Sequence, residues 1–283
     1  MCALLAEHAD TGSVPALPML HDHEFERFRA LIHRIAGIAL SPVKKPLVCS
    51  RLGKRLKHLG MSSYSEYYRM INDPREATEL QLAVDLLTTN ETHFFREPKH
   101  FDYFRQRILP MHRRGRTMRV WSAACSSGEE PYTIAMLLDE AMADEPWEII
   151  GTDLSTRVLE KARRGVYPED RVAEIPRQYL SRYCLKGQGA KSGTMLIEKK
   201  LRDRVQFFQH NLTSTPPPLG EFDVIFLRNV LIYFNQETKR QVIGHLLPLL
   251  KKGGHFLVSH SETLNDITTS LNLVAPSIYR KPE

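Results

Sequence analysis

The sequence predicts an α/β protein with a doubly wound, mostly parallel sheet, an N-terminal helical domain before it and a small β insertion within it. Three observations lead there. From about residue 89 onward, short apolar strands alternate with amphipathic helices, the pattern of parallel strands joined by crossover helices. Residues 22–87 carry only helical periodicity. The interval 166–204, with Pro168, Pro176, Gly187, Gly189 and Gly193, breaks the alternation and reads as an insertion holding a helix and a small β element.

Taken in order, residues 1–20 read as a loose tail and 21–88 as the helical domain. Asp22 is placed to cap a first helix with the apolar face Phe25, Phe28, Leu31, Ile32 and Ile35, stopped by Gly37. Pro42 and Pro46 suit the start of a second helix that ends at Gly60. Ser63 with Glu66 forms a capping box for a short third, and Asp73-Pro74 with Glu76 opens a fourth. Residues 89–283 then give a helix at Pro98–Met111, a strand at Met118–Ser122, a helix at Pro131–Ala143 and a strand at Glu148–Thr152. A helix at Ser155–Arg164 precedes the insertion. Strands at Val205–Gln209 and Phe222–Leu227, a helix at Gln236–Leu250, a strand at His255–Ser259 and two short strands near Leu271–Val274 and Ile278–Arg280 follow it.

Composition narrows the class. The 283 residues include 39 Lys+Arg against 33 Asp+Glu, a formal net charge of +6, and at 42% hydrophobic the chain is globular rather than disordered. No apolar run reaches the ~18 residues that span a bilayer, and the N-terminus lacks the basic region of a signal peptide. Cys2, Cys49, Cys125 and Cys184 lie far apart without a CxxC pair, which argues against a zinc site and a disulfide framework. A cytoplasmic protein without membrane insertion or bound metal is the expectation.

The chemistry sits where predicted strands end. Val120-Trp121-Ser122-Ala123-Ala124-Cys125-Ser126-Ser127-Gly128-Glu129-Glu130-Pro131-Tyr132 runs from a buried strand through small residues into a helix, the junction that forms the ligand crevice of open α/β sheets. Two carboxylates at the helix start repel a pyrophosphate and suit a ligand bearing an ammonium or sulfonium, such as S-adenosylmethionine. Satisfying the helix dipole is the plainer role for Glu129 and Glu130. Asp153 ends the next strand, where α/β nucleotide folds place an acid for ribose hydroxyls; by itself it reads rather as the cap of the Ser155 helix. His210-Asn211-Leu212 and Arg228-Asn229-Val230-Leu231-Ile232-Tyr233-Phe234 close two further strands, at the positions for an adenine and for the meeting of substrate and methyl donor. On the second helix, Arg51, Lys54 and Arg55 share one face at i, i+3 and i+4, ordinarily a solvated surface.

Three motifs, Leu87-Thr88-Thr89-Asn90-Glu91-Thr92-His93-Phe94-Phe95-Arg96-Glu97, the Trp121–Tyr132 stretch and Arg228–Phe234, strongly resemble the CheR family of chemotaxis receptor methyltransferases. The resemblance runs from about residue 22 to the end. It implies a Rossmann-like methyltransferase fold and methyl esterification of glutamates on the cytoplasmic helices of chemoreceptors, with S-adenosylmethionine as donor and S-adenosylhomocysteine as product. Carried over, Asn90, Thr92 and Arg96 belong to the segment that closes over the cofactor. Glu129 or Glu130 binds its methionine part, Asp153 the ribose, and Asn211 and Leu212 the adenine; Arg228 and Asn229 form the crevice wall. Arg96 and Tyr233 lie nearest the transferring methyl. Cys125 stands where a small residue such as Ala is common, a steric fit. The resemblance turns the Arg51, Lys54 and Arg55 stripe into a docking face for the acidic receptor helix. It also marks the insertion, with Met195-Leu196-Ile197 as a strand with an exposable edge, as a place to grip a receptor's C-terminal tail.

A nucleic-acid methyltransferase is the main rival. Base-directed N-methylation favours an NPPY-like loop and cytosine C5 methylation a PC nucleophile, and neither string occurs. A catalytically silent sensor of S-adenosylmethionine is the other, and intact polar groups at every strand end argue against it.

Overall fold

The computed structural model describes residues 18–142 and 145–283, so most of the expected N-terminal tail and Ala143 lie outside the described residues. Four helices form the first domain: α1 (Asp22–Ala36), α2 (Lys45–Leu59), α3 (Tyr64–Ile71) and α4 (Ala77–Leu87). Residue 20, assigned to the tail from sequence, already belongs to this domain, because Leu20 is buried in its core. The cap of α1 is His21 and not Asp22. The His21 N–H donates to Glu24 at 3.0 Å, while Asp22, in the first turn, pairs with Lys45 at 2.5 Å. Gly37 ends α1 in the left-handed region, φ +70°, and lies so close to Thr238 that an added Cβ would stand 2.5 Å from its methyl. Ser63 Oγ accepts the Glu66 N–H to start α3, and Asp73 caps a short turn leading to α4. The apolar faces of all four meet around Phe28, Leu52, Leu56, Tyr64 and Tyr67, each fully buried and worth roughly 1.5–3 kcal/mol when aliphatic or Phe.

The second domain begins with α5 (Pro98–Tyr103), whose axis continues through a widened turn at 104–108 and a tight one at 109–111. Pro110 has no N–H to extend the regular ladder. Then follow β1 (Met118–Ser122), α6 (Glu129–Ala141), β2 (Trp147–Asp153), α7 (Thr156–Arg164) and β3 (Val166–Pro168). Next are α8 (Arg177–Tyr183), β4 (Cys184–Lys186), β5 (Thr194–Ile197), α9 (Lys199–Arg202), β6 (Val205–Gln209) and β7 (Phe222–Phe226). The chain closes with α10 (Gln236–Leu246), β8 (Leu250–Leu257), β9 (Asn272–Ala275) and β10 (Ile278–Arg280). The seven-stranded sheet runs β6-β2-β1-β7-β8-β10-β9; the first five strands are parallel and the last two antiparallel. Two apolar layers, one around Val120, Ile134 and Phe226 and one around Trp121, Ile225 and Phe256, cover its two faces. That is the doubly wound architecture expected.

Two local expectations change. Strand β8 starts five residues early. Its register against β7 jumps from Phe222–Leu250 to Val224–His255, so the Gly253-Gly254 pair makes a bulge inside the strand rather than a turn before it. In the insertion the small antiparallel sheet runs β3-β5-β4, so β5 is paired on both sides and offers no edge. The edges are β3 and β4. Pro168 removes a donor from β3, which leaves β4, with Leu185 48% exposed, as the open one.

The two domains are joined by specific hydrogen bonds. Ala39 N–H donates to the Tyr233 carbonyl (2.8 Å), and Asn211 Nδ2 donates to the Ile35 carbonyl at the end of α1 (2.6 Å). Buried Asp85 accepts from Thr156 Oγ1 and the Arg157 N–H, so a carboxylate of α4 caps the N-terminus of α7 in the other domain.

Candidate active site

Strand order reverses beside β1, whose connection leads to β2 on one side while β7 pairs on the other; at such a switch point the loops diverge and leave a crevice. A cleft of about 560 Å³ lies there, floored by Ala123, Ala124 and Ser126 after β1, Asp153 at the end of β2, His210–Leu212 after β6 and Arg228–Val230 after β7. Its roof is residues 87–93 with Arg96, and its third wall comes from the helical domain: Leu40, Lys44, Leu47 and Arg51. The volume suits a nucleoside-sized ligand. Gly128 opens α6 with φ +96°, and a Cβ there would come within 2.8 Å of Ala162 and 2.9 Å of Tyr167 Oη, so only glycine lets the loop turn under the cleft.

The structure separates the paired acids. Glu130 lines the cleft, accepting from Ser122 Oγ and from the Arg228 guanidinium, each at 2.7 Å. Glu129, one residue earlier on the helix, points into the fold. It is 2% exposed and accepts from Ser127 Oγ, and burial raises its pKa. Asp153 accepts the Ser126 N–H at 2.8 Å and the Ser155 N–H at 2.9 Å, so it shapes the loop after β1 and the start of α7 at once. Burial pushes its carboxyl up to about 6, the two backbone donors only partly opposing it. A carboxylate so placed on a cleft wall retains lone pairs for hydroxyl donors, which would stabilise its charged form.

Arg228 holds the wall beside Asn229. Its side chain is 2% exposed and pairs with Glu130 at 2.7 Å and with Glu97 at 3.2 Å, and it also donates to the Arg96 carbonyl. Burial alone would raise the Glu97 pKa, but Arg228, Asn229 and the His260 N–H outweigh it and keep that carboxyl below its ordinary value. Glu97, His100 and His260 bring ligand-type atoms within 4.8 Å of one another. Arg228 supplies the positive charge at that point, and Ser277 Oγ joins the two rings, 2.8 Å from His100 Nε2 and 3.0 Å from His260 Nδ1. Burial, then Arg228 and His260, lower the His100 pKa to about 3, so this imidazole is neutral at physiological pH.

The remaining sequence-derived residues divide. Asn90, Thr92, Arg96, Leu212, Asn229 and Tyr233 all line the cleft. Arg96 donates to the Glu91 carbonyl at 2.6 Å, folding the roof back on itself. Asn211 also lines it, but its amide is committed to Ile35 and, as acceptor, to Thr213, so its side chain joins the domains. Two members of the expected docking stripe make bonds within the protein. Arg51 turns inward and caps the end of α4, with Nη1 2.7 Å from the Thr88 carbonyl. Arg55 makes a two-pronged pair with Glu79 at 2.8 and 2.5 Å, to which Tyr67 Oη also donates. The pair holds Glu79 below the usual carboxylate range. Lys54 alone of the three is exposed.

Sequence reasoning assigned no role to Glu97, Asp85 or Glu262. Glu262 accepts backbone N–H groups from Ser259 (2.8 Å), Asn229 (3.1 Å) and Ile232 (3.3 Å). Its signal was available, since Ser259-His260-Ser261-Glu262 follows another strand of the sheet.

A parallel sheet with this switch-point cleft, an acid after its second strand and an acid–arginine wall defines the class of nucleoside-cofactor α/β enzymes to which methyltransferases belong. Comparison with known families matches residues 90–279 to the CheR methyltransferase, SAM binding domain, and residues 23–88 to the CheR methyltransferase, all-alpha domain. The chain belongs to the CheR methyltransferase family. It is 38% identical over 267 residues to the chemotaxis protein methyltransferase of Escherichia coli strain K12, covering 92% of this chain and 91% of that one. It is 39% identical over 259 residues to chemotaxis protein methyltransferase 2 of Pseudomonas aeruginosa strain PAO1, covering 90% and 92%. Among solved structures, the N-methyltransferase NodS from Bradyrhizobium japonicum WM9 is similar at a TM-score of 0.38 and 14% identity, over 67% of this chain and 97% of that one, too distant to carry an argument. No helix among the described residues is long and apolar enough to cross a membrane.

Proposed function

We propose that this methyltransferase esterifies glutamate side chains on the cytoplasmic helices of chemotaxis receptors, with S-adenosylmethionine as donor and no metal. One observation carries the reading beyond family membership: the roof, the strand ends and the inner face of the helical domain close a single cleft that Asp153, Glu130, Arg96 and Tyr233 all line. When bound, S-adenosylmethionine supplies an electrophilic methyl on a sulfonium. Asp153 is suited to hold its ribose hydroxyls, Glu130 its cationic end, and Leu212 with the backbone around it the adenine. Asn90 and Thr92 close the roof, and Arg228 with Asn229 fixes the wall.

A receptor glutamate, with a reference pKa of ~4.3, arrives ionised, so this chain need not supply a base. Its residues have three tasks. Arg96 orients the incoming carboxylate, Tyr233 presents its ring to the cationic methyl, and the roof excludes water. Docking falls to α2, where Lys54 and Lys57 are exposed and Arg51 and Arg55, part-exposed, flank them. A receptor tail, where one is used, would add to β4 as a further strand.

The test is transfer of tritiated methyl to receptor fragments, with RNA as control. Base-labile label on the receptor is the expected result. Label on RNA, or none anywhere with cofactor binding intact, would replace this reading by the nucleic-acid or the sensor alternative. Receptor tail peptides titrated against the protein and against Leu185→Asp test the tether: binding weakened by the substitution supports β4, and no binding to the unsubstituted protein removes it.

A further inference from the structure

We propose that Glu262, working with Glu97, is a positioning residue for methyl transfer: the two carboxylates hold residue 229, one by its side-chain amide and the other by its backbone N–H, and fix the loop that carries Tyr233 into the cleft. The inference rests on the methyl-transfer reading and adds a residue to it.

The loop after β7 turns sharply at Asn229, whose φ of +57° lies in the left-handed region that asparagine adopts more readily than most non-glycine residues. Two groups from distant parts of the chain hold it there. Glu97, at the start of α5 next to the roof, accepts from Asn229 Nδ2 at 3.2 Å and from the His260 N–H at 3.2 Å. Glu262, from the segment after β8, accepts the Asn229 N–H through Oε2 and the Ile232 N–H through Oε1. The same Oε2 takes the Ser259 N–H. The bonds close a ring, from 97 to 229 to 262 to 259–260 and back to 97, tying the ends of β7 and β8 to the start of α5.

The ring does not end at the backbone. His260 continues through Ser277 to buried His100, whose Nδ1 lies 3.3 Å from Glu97 Oε2. That nitrogen approaches the carboxylate without a hydrogen bond, so the ring's polar continuation runs through Ser277.

The division of labour between the carboxylates makes the inference testable. Arg228 is held by Glu97 and Glu130, and Asp153 by the backbone N–H groups of Ser126 and Ser155; none of these bonds involves Glu262. Residues 229–233 depend on Glu262, and the short turn Leu231–Tyr233 follows directly. Loss of Glu262 therefore loosens residues 229–233 most and leaves in place the bonds of Glu130 to Ser122 and of Asp153 to Ser126 and Ser155. A group that served stability alone would not separate those effects.

The experiment uses the full chain with Glu262→Ala and Glu262→Gln. The amide keeps the volume and one oxygen of Glu262, so it retains part of the clamp if the alanine variant fails to fold. Amide exchange over residues 228–234 should quicken at least ~tenfold in the alanine variant and less in the glutamine variant, while exchange over β1 stays unchanged. Turnover at saturating cofactor should fall at least ~tenfold and about threefold, respectively, with cofactor Kd within about threefold of the unsubstituted protein. Unchanged exchange over 228–234, unchanged turnover, or a cofactor affinity that falls as far as turnover would each overturn the proposal. If the unsubstituted protein methylates no receptor fragment, the functional reading fails instead, and the exchange measurement still decides whether the clamp exists.

Discussion

Asp153, Glu130 and Arg228 at the carboxyl edge of the sheet meet in one cleft, whereas Arg51, Lys54 and Arg55 on α2 part company although they also share a spacing. The difference lies in what each element fixes. A parallel strand buried on both faces has one direction, so a polar residue just past its end emerges at the same edge as its neighbours. A helix face spans a wide arc, and long arginines at its margin bend toward whatever acceptor is near. Arg51 found the open carbonyls at the end of α4; Arg55 found Glu79. Spacing on a helix identifies neighbours, and the partner domain decides which of them stay in water.

The sharpest way to break the comparison is at its most enclosed charge. Arg228→Ala leaves Glu97 and Glu130 without their shared cation, and should cost about 3–5 kcal/mol of stability, read by urea unfolding. A loss below ~1 kcal/mol would mean that water compensates the site and that the wall is softer than its burial implies. Arg55→Ala comes next. It strands a nearly buried Glu79 and should cost about 2 kcal/mol; the change would be near zero if Arg55 were the docking residue that its helical position suggested.

Asp153→Ala should then weaken S-adenosylmethionine binding at least ~tenfold with the fold intact, since charge-assisted hydrogen bonds to two hydroxyls are worth ~1.5–3 kcal/mol each. Because burial raises this carboxyl to about 6, the charged acceptor is lost as pH falls through that value. Affinity should be flat above pH ~7 and drop about tenfold by pH ~5, a dependence absent from Asp153→Asn. Calorimetry across that range gives both results. The smallest effect belongs to the solvent side of α2. Lys54→Glu with Lys57→Glu should slow receptor methylation a few-fold at low salt, leave stability within ~0.5 kcal/mol, and lose its effect as screening shortens electrostatic reach to ~8–10 Å at 0.1–0.15 M. Equal rates at every salt concentration would place docking on another surface.

The sequence by itself determined the element order, the parallel core of the sheet and the edge at which the site lies. These follow from local signals: Gly37 and Gly60 stop helices, Ser63 starts one, and apolar runs such as Met118–Ser122 form buried strands. Family membership was legible too, in motifs that are contiguous in the chain. Only the tertiary structure decided which of two adjacent acids faces the cleft, because a step of one residue turns a helical side chain by about 100°. It alone placed Asp85 on a helix in the other domain and moved the open strand edge of the insertion from β5 to β4. It alone gathered Glu97, Asn229 and Glu262 around one loop. Those assignments depend on pairings between residues 33 to 132 positions apart in the chain, and no local pattern encodes the partner of a hydrogen bond that closes only when the sheet does.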